Sequence, residues 1–123
     1  MKATYVDGYV LTVPKSKAAV YKKMATEGKE AWLKFGALDY KECVIDDATP
    51  PGVVFTFAKM AKAKPDEQVW FSFVTFKDKA HRKAVNKKVM AYFSEKYTEE
   101  DQKKGMPFDM KRMATAGFKV MVG

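Results

Sequence analysis

The single histidine of this 123-residue chain, His81, is the side chain best suited to acid–base chemistry. It follows Asp78, a typical helix N-cap, and it precedes Val85, Val89 and Tyr92 at helical spacing. We therefore expect His81 in the first turn of a helix, where the helix dipole disfavours a positive charge and a neutral imidazole is plausible. Such an imidazole could act as a base, a hydrogen-bond donor or a ligand. The alternative is a structural histidine bonded to a loop carbonyl or carboxylate.

Asp7 is the second candidate for a catalytic group. It lies in the middle of a predicted strand, where a carboxylate needs an ion pair or hydrogen bonds. In one interpretation Asp7 and His81 form a polar pair in a pocket between the sheet and the helices. In the other, Asp7 belongs to a structural ion pair or a dimer contact, with Arg112 or nearby hydroxyl groups as partners.

Arg112 follows Asp109 by three residues, at the entrance to the last predicted strand. The two residues could clamp an anionic ligand, or Arg112 could tie the loop of residues 106–111 to the domain. Trp70 and Ser72 complete the predicted ligand-binding set together with His81, although aromatic side chains on core faces usually only pack. Whether the protein is an enzyme stays open.

Metal and cofactor chemistry is not expected. The chain has one histidine and one cysteine, Cys43, so a zinc or iron site would need carboxylates for most of its ligands. The sequence lacks a glycine-rich phosphate loop, a dinucleotide fingerprint and a nucleophile elbow. Cys43 has no basic neighbour in sequence, so a nucleophilic role is unsupported. We therefore predict neither a metal site nor a cofactor.

The composition indicates a single folded domain over residues 1–123, because 47% of the residues are hydrophobic. No apolar run approaches the roughly 18–20 residues of a membrane span. Residues 1–15 alternate in polarity, unlike a secretory signal. Together with a lone cysteine, which cannot form an intrachain disulfide, this predicts a cytoplasmic protein without membrane contact.

The formal net charge of +8 raises nucleic acid as a partner. However, only two of the 23 basic residues are arginines, which are the favoured residues for bidentate phosphate and base contacts. The lysines are also spread along the chain. A solvated lysine-rich surface is therefore the preferred interpretation, and nucleic-acid association is kept as an alternative.

Four strands and two helices are predicted from hydrophobic periodicity and from turn residues. They cover residues 5–13, 16–35, 37–45, 68–76, 79–93 and 112–122, in the order β-α-β-β-α-β. This order is typical of an α+β, ferredoxin-like fold, with an antiparallel sheet and both helices on one face. In that fold the first and third strands are central, in agreement with their two apolar faces.

The first predicted helix presents one apolar stripe, with Tyr21 and Trp32 at its edge. The stripe consists of Val20, Met24, Gly28, Ala31 and Phe35. Gly28 costs about 1 kcal/mol of helix propensity relative to alanine, so we expect the helix to approach the sheet closely there. The sheet face away from the helices needs a second cover, and the simplest is the same sheet of a second copy, which gives a homodimer.

Several segments resemble one protein family along nearly the whole chain. They are Tyr5-Val-Asp-Gly-Tyr9, Gly36-Ala-Leu-Asp-Tyr40, Lys62-Ala-Lys-Pro-Asp-Glu67, Ala80-His-Arg82, Val85-Asn-Lys-Lys-Val-Met90, Met106-Pro-Phe-Asp109 and Lys111-Arg-Met113. The chain is similar to the YbaA-like family, catalogued as domain-of-unknown-function family 1428. The resemblance implies the dimeric α/β-barrel superfamily, in which two ferredoxin-like subunits pair their sheets, and it implies no established activity. A cofactor-independent monooxygenase-like enzyme is an alternative by analogy with that superfamily.

Overall fold

The computed structural model describes residues 2–123 and contains the predicted order of strands and long helices. The strands are β1 (Tyr5–Pro14), β2 (Asp39–Val44), β3 (Glu67–Phe76) and β4 (Ala114–Lys119). The helices are α1 (Ala18–Lys34), α2 (Phe57–Met60), α3 (Lys79–Lys96) and α4 (Glu99–Lys103). Two 3₁₀ turns, Lys15–Lys17 and Met110–Arg112, lead into α1 and β4.

The four strands form one sheet in the order β2-β3-β1-β4, and all three strand pairs are antiparallel. The first and third strands are therefore central, as predicted. Asp7 of β1 lies opposite Val74 of β3 and Gly117 of β4. This topology confirms the α+β, ferredoxin-like fold class.

The core lies between the sheet and the two long helices, because alternate residues of the central strands point toward the helices. One cluster of buried residues is built around Val74, Phe76, Val85 and Val89, and a second around Leu11, Val13, Tyr21 and Trp70. Helix α1 contributes to both clusters, through Ala31 and Ala25 respectively. Tyr9 of β1 packs against both clusters and thus lies between them.

The predicted apolar stripe of α1 is wrong at its first position. Val20 is 61% exposed, and the buried residues of the helix are Tyr21, Ala25, Gly28 and Ala31. The Tyr21 ring packs edge-on against Trp70 of β3, with ring centroids 4.9 Å apart. Burial of Tyr21 removes more apolar area from water than burial of Val20 would, which favours this rotation of the helix about its axis.

Some predicted element boundaries also shift. The last strand was expected over residues 112–122, but it covers Ala114–Lys119. The Asp109 side chain accepts a hydrogen bond from the Lys111 backbone nitrogen at 2.9 Å, which stabilises the 3₁₀ turn before the strand. The second long helix extends to Lys96, three residues beyond the predicted end. Strand β2 is shorter than the predicted residues 37–45.

The sheet face away from the long helices carries exposed apolar side chains. Phe71 is 43% exposed and lies next to the rings of Phe73 and Phe57. The exposed Phe118 ring lies over Gly8 of the neighbouring strand, where an added Cβ would be 3.3 Å away from it. We call this surface the open face. Within residues 2–123, no helix combines the length and apolar character needed to cross a bilayer.

Candidate functional site

A cleft of about 720 Å³ lies between α1, the helix-facing side of the sheet and the segment that follows α3. Leu11, Ser72 and Val74 of the central strands form its floor, and Met24 of α1 and Met90 of α3 contribute to its walls. Its volume falls within the range of small-molecule sites, and its lining is largely apolar and aromatic. From the sequence we expected a pocket between sheet and helices with Asp7 and His81 in it, whereas the described residues that line this cleft include neither of them.

A carboxylate with two tyrosine partners lies in the wall of this cleft. Glu42 of β2 accepts a hydrogen bond from Tyr21 of α1 at 2.8 Å and another from Tyr40 at 2.6 Å. The two phenols use different carboxylate oxygens. Glu42 also pairs with Ser72 across the sheet, and Ser72 pairs with Tyr9 on the next strand. The register thus aligns three polar side chains in one row under α1.

The environment of these tyrosines raises their pKa values. Burial is the main cause at Tyr21 and Tyr40, and the negative charge of Glu42 raises both pKa values further. Burial also raises the pKa of Tyr9 to about 12, followed by the charge of Asp7. All three phenols therefore stay protonated at neutral pH, and Tyr21 and Tyr40 act as fixed donors to the carboxylate.

Aromatic rings continue the wall of the cleft from Tyr40 toward the end of α3. The Trp32 ring lies 5.8 Å from the Tyr40 ring and 6.2 Å from the Phe93 ring, measured between centroids. Phe93 stacks on Tyr97 at 5.8 Å. The Tyr97 hydroxyl donates to the carboxylate of Glu27, and this bond is the main reason that the pKa of Tyr97 rises to about 12. These contacts hold α1 against the C-terminal half of α3.

Asp7 is bound by residues of α3. Its two oxygens each lie 3.0 Å from the Arg82 Nε, and the Asn86 side-chain nitrogen donates to one of them at 3.1 Å. The prediction of Arg112 or nearby hydroxyl groups as partners of Asp7 is therefore wrong, because Arg82 forms the ion pair and Asn86 donates the further hydrogen bond. The hydrogen bond to Asp7 raises the pKa of the Arg82 guanidinium. Among the described hydrogen bonds, none joins Asp7 to His81.

His81 lies in the first turn of α3, as predicted, and Asp78 is the N-cap. The Asp78 carboxylate accepts from the His81 backbone nitrogen at 2.8 Å, and the imidazole Nδ1 accepts from the Lys77 backbone nitrogen at 3.0 Å. The ring meets Phe76 edge-on, with centroids 6.0 Å apart. The described residues that line the cleft do not include His81. A catalytic or ligand-binding role for His81 stays a prediction.

Arg112 joins three parts of the chain. Its terminal nitrogens donate to the two carboxylate oxygens of Glu67 at 2.6 and 2.7 Å, and its Nε donates to Asp109 at 2.9 Å. One terminal nitrogen also donates to the Lys62 backbone oxygen at 3.0 Å. Hydrogen bonding from Arg112 is the main cause that lowers the pKa of Glu67 to about 2. These contacts favour the interpretation in which Arg112 ties the loop of residues 106–111 to the domain.

Of the two remaining predicted ligand-binding residues, one lies in the cleft. Ser72 is buried in the floor of the cleft. Trp70 packs edge-on against Tyr21 and is not among the described residues that line the cleft. The predicted set of Trp70, Ser72, His81, Asp109 and Arg112 is thus not brought together at a single site. Across the part of the chain that the structure describes, no cluster of three or more His, Cys, Asp or Glu side chains is placed to hold a metal ion.

Glu42, Tyr21 and Tyr40 were not recognised as candidate site residues from the sequence. A signal was present, since Glu42 has the same strand parity as the apolar residues Tyr40 and Val44. A carboxylate on the inward parity of a strand requires a polar partner. Tyr40 lies two residues away on the same strand, but Tyr21 belongs to a different element, so the sequence alone does not identify Tyr21 as the second partner.

Fold and cleft define an α+β, ferredoxin-like protein with an aromatic cleft that contains a carboxylate. The family described as "Protein of unknown function (DUF1428)" matches residues 4–110, and the chain belongs to this family. The "Uncharacterized protein YbaA" of Escherichia coli strain K12 is 38% identical over 118 residues, which cover 96% of this chain and 97% of that protein. The proteins of the same name from Escherichia coli O157:H7 and Shigella flexneri show the same identity and coverage. The family resemblance seen in the sequence is thereby confirmed.

Proposed function

We propose that this protein binds a small molecule in the cleft between α1 and the sheet. The observation that carries the proposal is a cleft of about 720 Å³ whose lining is mainly apolar and aromatic and includes the carboxylate of Glu42. Natural small-molecule sites combine an apolar lining with a small number of precisely placed polar groups. The apolar surface supplies affinity, and the polar groups select and orient the ligand.

The arrangement around Glu42 also supports binding. A carboxylate in a partly buried position loses hydration, and a folded protein tolerates it where hydrogen bonds compensate for that loss. Tyr21 and Tyr40 each occupy one oxygen of Glu42, and each carboxylate oxygen can accept more than one hydrogen bond. Glu42 is thus held in one orientation and keeps the capacity to accept a hydrogen bond from a ligand.

The proposal is tested by titration with N-phenyl-1-naphthylamine, an uncharged dye whose fluorescence rises in apolar surroundings. Met90 lines the cleft from α3 and is exposed, so Met90→Trp narrows the cleft without enlarging a buried core residue. Leu33→Trp makes a matched change on the outside of α1, where Leu33 is also exposed. We expect wild type and Leu33→Trp to bind the dye alike, and Met90→Trp to bind it about tenfold more weakly. Equal binding by all three proteins, or no binding by wild type, contradicts the proposal.

The proposal includes a homodimer formed through the open face. The support is the exposed apolar surface around Phe71 and Phe118, because large apolar patches on folded proteins commonly mark interfaces. A cytoplasmic location stays a prediction from the sequence, and so do the monooxygenase-like and nucleic-acid-associated alternatives.

A further inference from the structure

We infer that the ligand of the cleft carries a positively charged amine, which Glu42 and the surrounding aromatic rings recognise together. This inference rests on the proposed binding function of the cleft. It adds the chemical class of the ligand, an organic ammonium ion with an apolar body.

The first reason is that the charge of Glu42 has no protein counter-ion among the described side chains. The ion pairs formed by those side chains involve Asp7, Glu27, Asp39, Glu67 and Asp109, but not Glu42. The partners of Glu42 are two neutral phenols. Hydrogen bonds to a charged acceptor are stronger when the donor is also charged, so an ammonium group gains more here than a hydroxyl group does.

The second reason is the position of the aromatic rings. Tyr40 donates to Glu42 and also lies 5.8 Å from the Trp32 ring, which continues the wall toward Phe93. A cation is attracted to the faces of such rings by their quadrupoles, most strongly by tryptophan. The same rings offer apolar area for the body of the ligand. Carboxylate and rings therefore favour the same ligand class.

The charges at the rim do not reverse this preference. Two exposed lysines, Lys23 and Lys104, line the cleft together with two acidic residues, Glu27 and Asp101. Lys23, Lys104 and Asp101 are exposed, and water and salt screen their charges, so each contributes little. Glu27 is half-buried, but it is already paired with Lys96 and accepts a hydrogen bond from Tyr97. Glu42 is half-buried and has no such counter-ion among the described side chains, and burial strengthens its interaction with a charged ligand relative to the exposed rim groups.

The test compares three molecules with the same aromatic body, namely 2-phenylethylamine, 2-phenylethanol and phenylacetate. Each is used to displace the bound dye N-phenyl-1-naphthylamine at neutral pH. For wild type we expect the amine to compete best, the alcohol less well and the carboxylate worst, with about a tenfold difference between amine and alcohol. Equal competition by all three, a preference for phenylacetate, or no displacement of the dye overturns the inference.

Glu42→Gln removes the charge and keeps an acceptor oxygen, so it is expected to abolish the preference for the amine over the alcohol. Glu30→Gln is the matched control on the exposed side of α1 and should retain the wild-type order. A Glu42→Gln protein that keeps the preference also overturns the inference. The wild-type series tests the ligand class even if Glu42→Gln does not fold. The dye titration separates the two claims, since a protein that binds the dye without preferring the amine retains the proposed function and loses only the ligand class.

Discussion

At the scale of single residues, Asp7 shows how a buried carboxylate is accommodated. It is 2% exposed and bonded to Arg82 and Asn86 of α3. Asn86 in turn accepts from the Trp32 ring nitrogen of α1 at 2.9 Å. One hydrogen-bonded chain therefore joins a central strand to both long helices. Of the two interpretations that the sequence left open for Asp7, these contacts support the structural ion pair.

We expect Asp7→Asn to lower the free energy of unfolding by about 2 kcal/mol, because Arg82 loses the negative charge that compensates its partial burial. The Arg82 side chain is 29% exposed, so water reduces the cost below that of a fully buried pair. Urea denaturation followed by circular dichroism measures the change. Asp39→Asn, which removes an exposed partner of Lys41, is the control and should change stability little. Equal losses in the two variants would contradict the structural role of Asp7.

At the scale of elements, the close approach of α1 to β2 shapes the cleft. The glycine in the predicted helix indicated such an approach, and the structure confirms it. A Cβ added at Gly28 would lie 3.0 Å from the Tyr40 hydroxyl oxygen. That hydroxyl is held by Glu42 at 2.6 Å, so it has little freedom to move away. Gly28 is thus needed for the contact that positions Tyr40.

Gly28→Ala is expected to destabilise the protein by about 1 kcal/mol, because overpacking against Tyr40 outweighs the gain in helix propensity. In a Tyr40→Phe background the hydroxyl is gone, and the same substitution should be neutral or stabilising. Urea denaturation of the four proteins of this double-mutant cycle gives the coupling between the two sites. The same loss in both backgrounds would show that another contact limits the space at Gly28.

At the scale of the whole molecule, the sheet is covered unequally on its two faces. The long helices pack on one face, and the open face presents Phe71, Phe73 and Phe118. Burying such residues in an interface removes apolar area from water at about 25 cal/mol per Å². A second copy offers the same apolar face, so a two-fold pairing would bury the open faces of both copies at once.

If the open face forms the dimer interface, Phe71→Glu should convert a dimer into a monomer, because a carboxylate would be buried without a partner. Phe71 is 43% exposed, and Leu33 on α1 is 39% exposed on the opposite side of the sheet. Leu33→Glu is therefore a matched control and should remain dimeric. Sedimentation velocity at micromolar concentration distinguishes the 13.9 kDa chain from its dimer. A monomeric wild type would contradict the proposed interface.

The element order, the strand alternation and the cap of α3 could be read from the sequence, because each depends on residues close together in the chain. Periodicity places residues on faces, and Pro, Gly and Asp mark the ends of elements. These local signals predicted the fold class and the central positions of β1 and β3. They also predicted that Asp7 needs an ion pair or hydrogen bonds, and they predicted the position of His81 in the first turn of α3.

Only the tertiary structure decided the partners of the inward polar groups. Asp7 meets Arg82, 75 residues away, and Glu42 meets Tyr21, 21 residues away. The rotation of α1, which buries Tyr21 in place of Val20, depends on packing against Trp70. Such pairings depend on the position and rotation of each helix on the sheet, and their energy comes from contacts between elements that are far apart in sequence. The carboxylate and aromatic rings of the cleft therefore became a candidate site only when α1 was placed over β2 and β3.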